Sequence, residues 1–115
     1  MDDSHDPAVA IKEERASIRR ALIGNALYDV EDPEMGVNIV DLGLIYDIRV
    51  DEENRVEIDL TLTTLGCPMG PQIIADIQDT LGIYAEIQAV KVNLVWSPPW
   101  SPAMMSEEAR DELLG

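Results

Sequence analysis

Three stretches of this chain alternate between apolar and polar side chains. In "LIYDIRVD", Leu44, Tyr46, Ile48 and Val50 alternate with Ile45, Asp47, Arg49 and Asp51. In "VEIDLTLT", Val56, Ile58, Leu60 and Leu62 alternate with Glu57, Asp59, Thr61 and Thr63. Successive side chains of a strand point to opposite faces, so each stretch predicts a strand with one dry and one wet side. The polar "EENR" between them predicts a hairpin turn. "AVKVNLVW" repeats the pattern, with Val90, Val92, Leu94 and Trp96 on one side.

Helical periodicity fills the remaining patterned segments. "AIKEERASIRRALIGNALYDV" aligns Ile11, Ile18, Leu22 and Ala26 on one stripe, and Asp32-Pro33 is expected to end this helix, because a residue before proline disfavours helical geometry. "VNIVDLG", flanked by Gly36 and Gly43, predicts an ordered loop leading into the first strand. Ile73, Ile74, Ile77 and Leu81 recur at helical spacing, with Gly82 as a stop. "SPPWSP" excludes regular structure. A last short helix is expected to begin at Ser106, whose hydroxyl can cap it while Glu107 and Glu108 favour its positive end. The order α-β-β-α-β-α predicts an α+β fold, a small two-layer sandwich with a three-stranded sheet and helices on one face. The third strand starts at the same end as the second; whether it pairs with the first or the second stays open.

At 115 residues the chain suits one small domain. Residues 1–10 read as a flexible acidic tail and residues 11–115 as a single domain. Phenylalanine is absent, so aliphatic side chains must fill the core. Lys and Arg number 8 against 23 Asp and Glu, a net charge of −15, which repels phosphate backbones and anionic membranes. No nucleic-acid or membrane partner is expected. No apolar run approaches the roughly 20 residues of a membrane span. "MDDSHDPAVA" lacks the basic start and apolar stretch of a signal peptide. A single cysteine agrees with a reducing compartment, and the expected location is the cytoplasm.

That cysteine lies in "TTLGCPMGP", where the second strand ends and a helix begins. Free N–H groups at a helix start favour a thiolate, whereas Pro68 and Pro71 offer none and instead fix the backbone. Cys67 therefore reads either as an activated thiol or as a small buried hydrophobe. His5 falls in the tail, so no base pairs with the thiol, and no Cys or His spacing suggests a zinc site. Asp32, Glu34 and Asp41 precede the hairpin, where they serve turns or supply carboxylates to a site. Trp96 and Trp100 around Pro98-Pro99 form either a partner-docking ledge or a lid over the core.

"DVEDPEMGVNIVDLGLIYDI", "LTLTTLGCPM" and "VNLVWSPPWSPAMMSEEARDELLG" together resemble the SufT/PaaD family of small iron–sulfur assembly proteins, over about residues 20–115 and closest to the SufT branch. The resemblance implies a small α/β domain that assists cluster assembly or insertion into client proteins. It implies a functional site of Asp32, Glu34, Thr63, Thr64 and Cys67, with Cys67 as the transient contact for iron or a cluster. It also draws attention to Asp41 and to Arg110, the latter grouped with Trp100 for partner docking.

The expected function is that of a non-catalytic adaptor or transient carrier working between the iron–sulfur assembly machinery and client apo-proteins. No tightly bound cofactor is expected, only a transient iron–sulfur cluster or iron. Clusters commonly need four thiolates, so further ligands must come from a second subunit, a client, a small thiol or carboxylates. A homodimer is one way to supply them. The alternatives are an assembly factor for a phenylacetate-type oxygenase, as in the PaaD branch, a thiol-dependent enzyme using Cys67, and a pure interaction module with a structural cysteine.

Overall fold

The computed structural model describes residues 19–63 and 69–114. Its centre is β2 (Arg55–Leu60), whose Val56, Ile58 and Leu60 are buried on one face while Glu57 and Asp59 emerge on the other. β1 (Ile45–Val50) pairs with β2 antiparallel, and β3 (Ala89–Leu94) pairs with it in parallel, giving the order β1-β2-β3. The third strand thus joins the second. A parallel neighbour needs a crossover, which α2 (Gly70–Gly82) supplies. The architecture is the expected α+β arrangement.

The hairpin turn follows from Asp51. Its carboxylate accepts from the backbone N–H of Glu53 and Arg55 at 2.9 and 2.8 Å, and Asn54 adopts φ 62°, a conformation that asparagine tolerates. Alternation in β1 is broken by a bulge. Ile45 pairs with Leu60 and Asp47 with Asp59, so Tyr46 is the extra residue and Ile45 packs against the core. The expected stripe of Leu44, Tyr46, Ile48 and Val50 is corrected accordingly. The Tyr46 hydroxyl instead donates to the Pro98 carbonyl at 2.7 Å.

Helix α1, described over residues 19–26, gives way to a 3₁₀ turn at Leu27–Asp29, and Val30 is already extended. The helix therefore ends ahead of Asp32-Pro33. The cause is a short bridge: Val30 and Val37 offer carbonyls to the N–H groups of Ile39 and Asp32, at 2.9 and 3.0 Å. The buried stripe runs through Ile23 and Leu27 rather than Leu22, which is 63% exposed. Ile11 and Ile18 lie outside the described residues.

Ile23, Leu27, Ile73, Ile77 and Leu81 close over the sheet's dry face, joined by Val37, Ile39, Leu42 and Leu44 from the ordered loop. Gly43 has φ +78°, and a Cβ there would overlap the Met104 carbonyl oxygen and lie 2.8 Å from its carbon. Glycine is what lets segment 100–105 cross so closely. Helix α3 (Glu107–Leu114) is capped as expected: Ser106 Oγ accepts from Ala109 N–H at 3.1 Å, and Ala109 enters the core. No helix among the described residues is long and apolar enough to cross a membrane.

Candidate functional site

Aspartate followed by proline starts a turn because the carboxylate can bond backbone N–H groups two and three residues ahead. Asp32 does this. Its Oδ1 accepts from Glu34 N–H at 2.9 Å and Met35 N–H at 3.4 Å, and its own carbonyl accepts from Gly36 N–H at 2.8 Å. Gly36 meets the required left-handed geometry with φ +69°. Asp32 is 2% exposed, whereas Glu34 projects into solvent at the tip. The two carboxylates therefore differ in kind: one holds the turn and the other is presented by it.

Asp41 is engaged locally as well. Asn38 Nδ2 donates to Asp41 Oδ2 at 2.7 Å, and Asp41 N–H donates to Asn38 Oδ1 at 2.8 Å. The Asp41 carbonyl accepts from Ser106 N–H at 2.7 Å, which fixes the start of α3 against this loop. Leu44 then accepts from Thr61 N–H at 2.8 Å. The loop carrying Asp32, Glu34 and Asp41 is thereby tied directly to the end of β2 that leads to the threonines.

Thr63 is half-buried at that end, and the next described residue is Met69, whose carbonyl accepts from Ile73 N–H at 2.9 Å as α2 begins. Thr64 and Cys67 fall between them, outside the described residues. Leu62 is buried, and its Cδ1 lies 3.0 Å from where a Gly70 Cβ would be, so strand end and helix start are closely packed on either side of the cysteine segment. No hydrogen bond joins Asp32 or Glu34 to Thr63 among the described residues. Trp100 is half-buried with its indole N–H committed to the Leu42 carbonyl at 2.7 Å, while Arg110 is exposed on α3. Among the described residues, no three His, Cys, Asp or Glu side chains are grouped to hold a metal ion.

Two features escaped the sequence reading. Thr61 is fully buried, and its Oγ1 has no hydrogen-bond partner among the described residues. The wet face of the sheet carries a charge network in which Arg49 donates to both oxygens of Asp59 at 2.9 Å and to Asp47 at 2.7 Å. Asn93 adds bonds to Glu57 and Asp59 at 2.6 and 3.2 Å. Bonds from Arg49, then Asn93, lower the Asp59 pKa from 3.8 to about 2, while Asn93 leads in lowering that of Glu57. The signal was present: Asp47, Arg49, Glu57 and Asp59 occupy same-face positions of paired strands.

This α+β sandwich, with the lone cysteine falling in sequence between its central strand and crossover helix, is the architecture of a known class. Residues 20–94 match the family of iron–sulfur cluster assembly proteins, and the chain belongs to that family. It is similar to the Fe-S protein maturation auxiliary factor SufT of Staphylococcus aureus, with 53% identity over 81 residues, 70% of this chain and 92% of that one. The Fe-S protein maturation auxiliary factor YitW of Bacillus subtilis is 43% identical, covering 76% of this chain and 86% of its own length. A crystal structure of a Domain of Unknown Function, DUF59, from Bacillus anthracis superposes with a TM-score of 0.85 at 40% identity, over 88% of this chain and 96% of that one.

Proposed function

We propose that the chain is an iron–sulfur protein maturation factor of the SufT type, acting as an adaptor or transient carrier for which iron or a cluster is cargo. The observation that carries this reading is the 53% identity to a named Fe-S protein maturation auxiliary factor over 92% of its length. The folded unit is residues 11–115, the partners are the assembly machinery and client apo-proteins, and the location is the cytoplasm. The chain works by binding rather than catalysis.

Within this reading Cys67 supplies a thiolate to the cargo, and Thr63 and Thr64 flank the approach. Asp32 acts at one remove, because its Oδ1 is already bonded to the turn backbone. Its task is to hold Glu34 outward, where an exposed carboxylate can complete a coordination sphere. Trp100 and Arg110 belong to the partner-facing side. One thiolate per chain binds a cluster weakly and releases it readily, which suits transfer. Iron and sulfide analysis across gel filtration tests this. The purified protein should emerge colourless, and reconstituted cluster should travel only with an assembly that pools at least two cysteines. A monomer that keeps a full cluster without added thiol contradicts the carrier reading.

A further inference from the structure

Pro98, Pro99 and Pro102 have no N–H, so the segment after β3 is poorly equipped to hold itself by backbone bonds. Bonds to other elements fasten it instead. Val95 N–H donates to the Leu60 carbonyl at 2.9 Å, and Ser106 N–H to the Asp41 carbonyl at 2.7 Å. Between these ends the ties are made by side chains. Trp100 Nε1 donates to the Leu42 carbonyl at 2.7 Å, and the Tyr46 hydroxyl donates to the Pro98 carbonyl at 2.7 Å.

The Tyr46 hydroxyl has a second acceptor, Met104 Sδ, at 3.3 Å. A phenol carries one proton, so the carbonyl and the sulfur compete for it. A thioether is the weaker acceptor, and the shorter bond goes to the carbonyl. Tyr46, Pro98 and Met104 all line one open cavity of about 670 Å³, where Met104 is half-buried. The other described methionines are placed differently: Met105 is 5% exposed within the core, and Met35 and Met69 pack against it.

We propose that Met104 is a redox-sensitive latch, by which a peroxide loosens the segment carrying Trp100. A lone pair on Sδ attacks one peroxide oxygen, and the S–O bond forms as the O–O bond breaks. The leaving hydroxide takes the proton from the transferred oxygen and departs as water. Sulfur loses two electrons and the peroxide gains them, leaving a sulfoxide that reductases reverse. The sulfoxide oxygen is polar and a far stronger acceptor than the thioether, so it takes the Tyr46 proton from the Pro98 carbonyl. The Met104 backbone is fixed against Gly43, its carbonyl carbon 2.8 Å from where a Cβ there would lie, so the sulfoxide stays near the hydroxyl. With the Pro98 tie lost, the Trp100 bond two residues on opens more often. The latch uses no residue of the cysteine turn and no part of the maturation reading.

Hydrogen peroxide applied to the purified full chain tests it, followed by fragment-resolved mass spectrometry and by NMR exchange of the Trp100 indole N–H. Met104 should gain one oxygen before Met35, Met69 and Met105. Losing one hydrogen bond from the segment should then speed Trp100 indole exchange up to about tenfold. Methionine sulfoxide reductase should restore the slow rate. Tyr46→Phe lacks the contested proton, so it should exchange fast from the start and change little on oxidation. Met104→Leu should stay slow in peroxide. Met104 remaining reduced while the other methionines oxidise would overturn the proposal. So would an unchanged Trp100 rate once Met104 is oxidised, or an equal acceleration by peroxide in Tyr46→Phe.

Discussion

The indole N–H of Trp100 donates to the carbonyl of Leu42 at 2.7 Å, joining positions 58 residues apart. That bond fastens the irregular segment after β3 to the loop before β1, and Gly43, with no Cβ, lets Met104 of the same segment pass against that loop. Trp100→Phe keeps most of the ring and removes the donor, so it should cost about 1–2 kcal/mol. Urea denaturation measures this. A Phe variant as stable as the parent would show that the bond contributes nothing.

Asp32 separates a structural from a cargo-binding role. Its buried carboxylate bonds two backbone N–H groups, so Asp32→Ala should lose about 1–3 kcal/mol of stability. Glu34→Gln removes only an exposed charge and should change stability by less than about 0.5 kcal/mol. Both are read by thermal melts beside client maturation in cells. Loss of maturation in Glu34→Gln at unchanged stability supports a carboxylate contribution to cargo; unimpaired maturation removes Glu34 from the site.

The charge network predicts an acid-labile contribution. The Asp59 pKa is depressed to about 2, so its share of stability is fully present above the ordinary 3.8 and is lost as pH falls toward 2. Melts from pH 5 to pH 2 should fall more steeply for the parent than for Asp59→Asn, and the difference should shrink in high salt because the face is solvated. Parallel curves would show that the Arg49–Asp59 pair does not stabilise the fold.

Thr61 makes an inverse prediction. Its fully buried hydroxyl, without a partner among the described residues, carries a desolvation cost, so the isosteric Thr61→Val should raise stability by about 1 kcal/mol. Denaturant midpoints decide it. A destabilised valine variant would mean that the hydroxyl is engaged after all.

These residues also show how far the fold was legible. Alternation located all three strands, because a half-buried strand must repeat every two residues, the polar "EENR" run marked the hairpin turn, and capping chemistry placed Ser106; that Asp51 organises the turn emerged only from its bonds to Glu53 and Arg55. What alternation cannot register is a bulge: the extra residue at Tyr46 moves Ile45 inward without changing the local pattern. The α1 stripe was misread at Leu22 because Leu22 and Ile23 are adjacent apolar residues, and only the packing of neighbours chooses between them. Strand order was closed to local reading, since pairing β3 with β2 rather than β1 is a long-range choice. Of the expected site, the unequal roles of Asp32 and Glu34 follow from a turn whose internal bonds the motif does not spell out.

The central claim is that the lone cysteine serves iron–sulfur maturation rather than the fold. The most direct measurement is the activity of an iron–sulfur client enzyme in cells whose only copy of this protein is Cys67→Ser, beside circular dichroism and a thermal melt of the purified variant. The expected result is a parent-like spectrum and melting temperature with client activity reduced to the level of a deletion strain. Full client activity in the Cys67→Ser cells would contradict it.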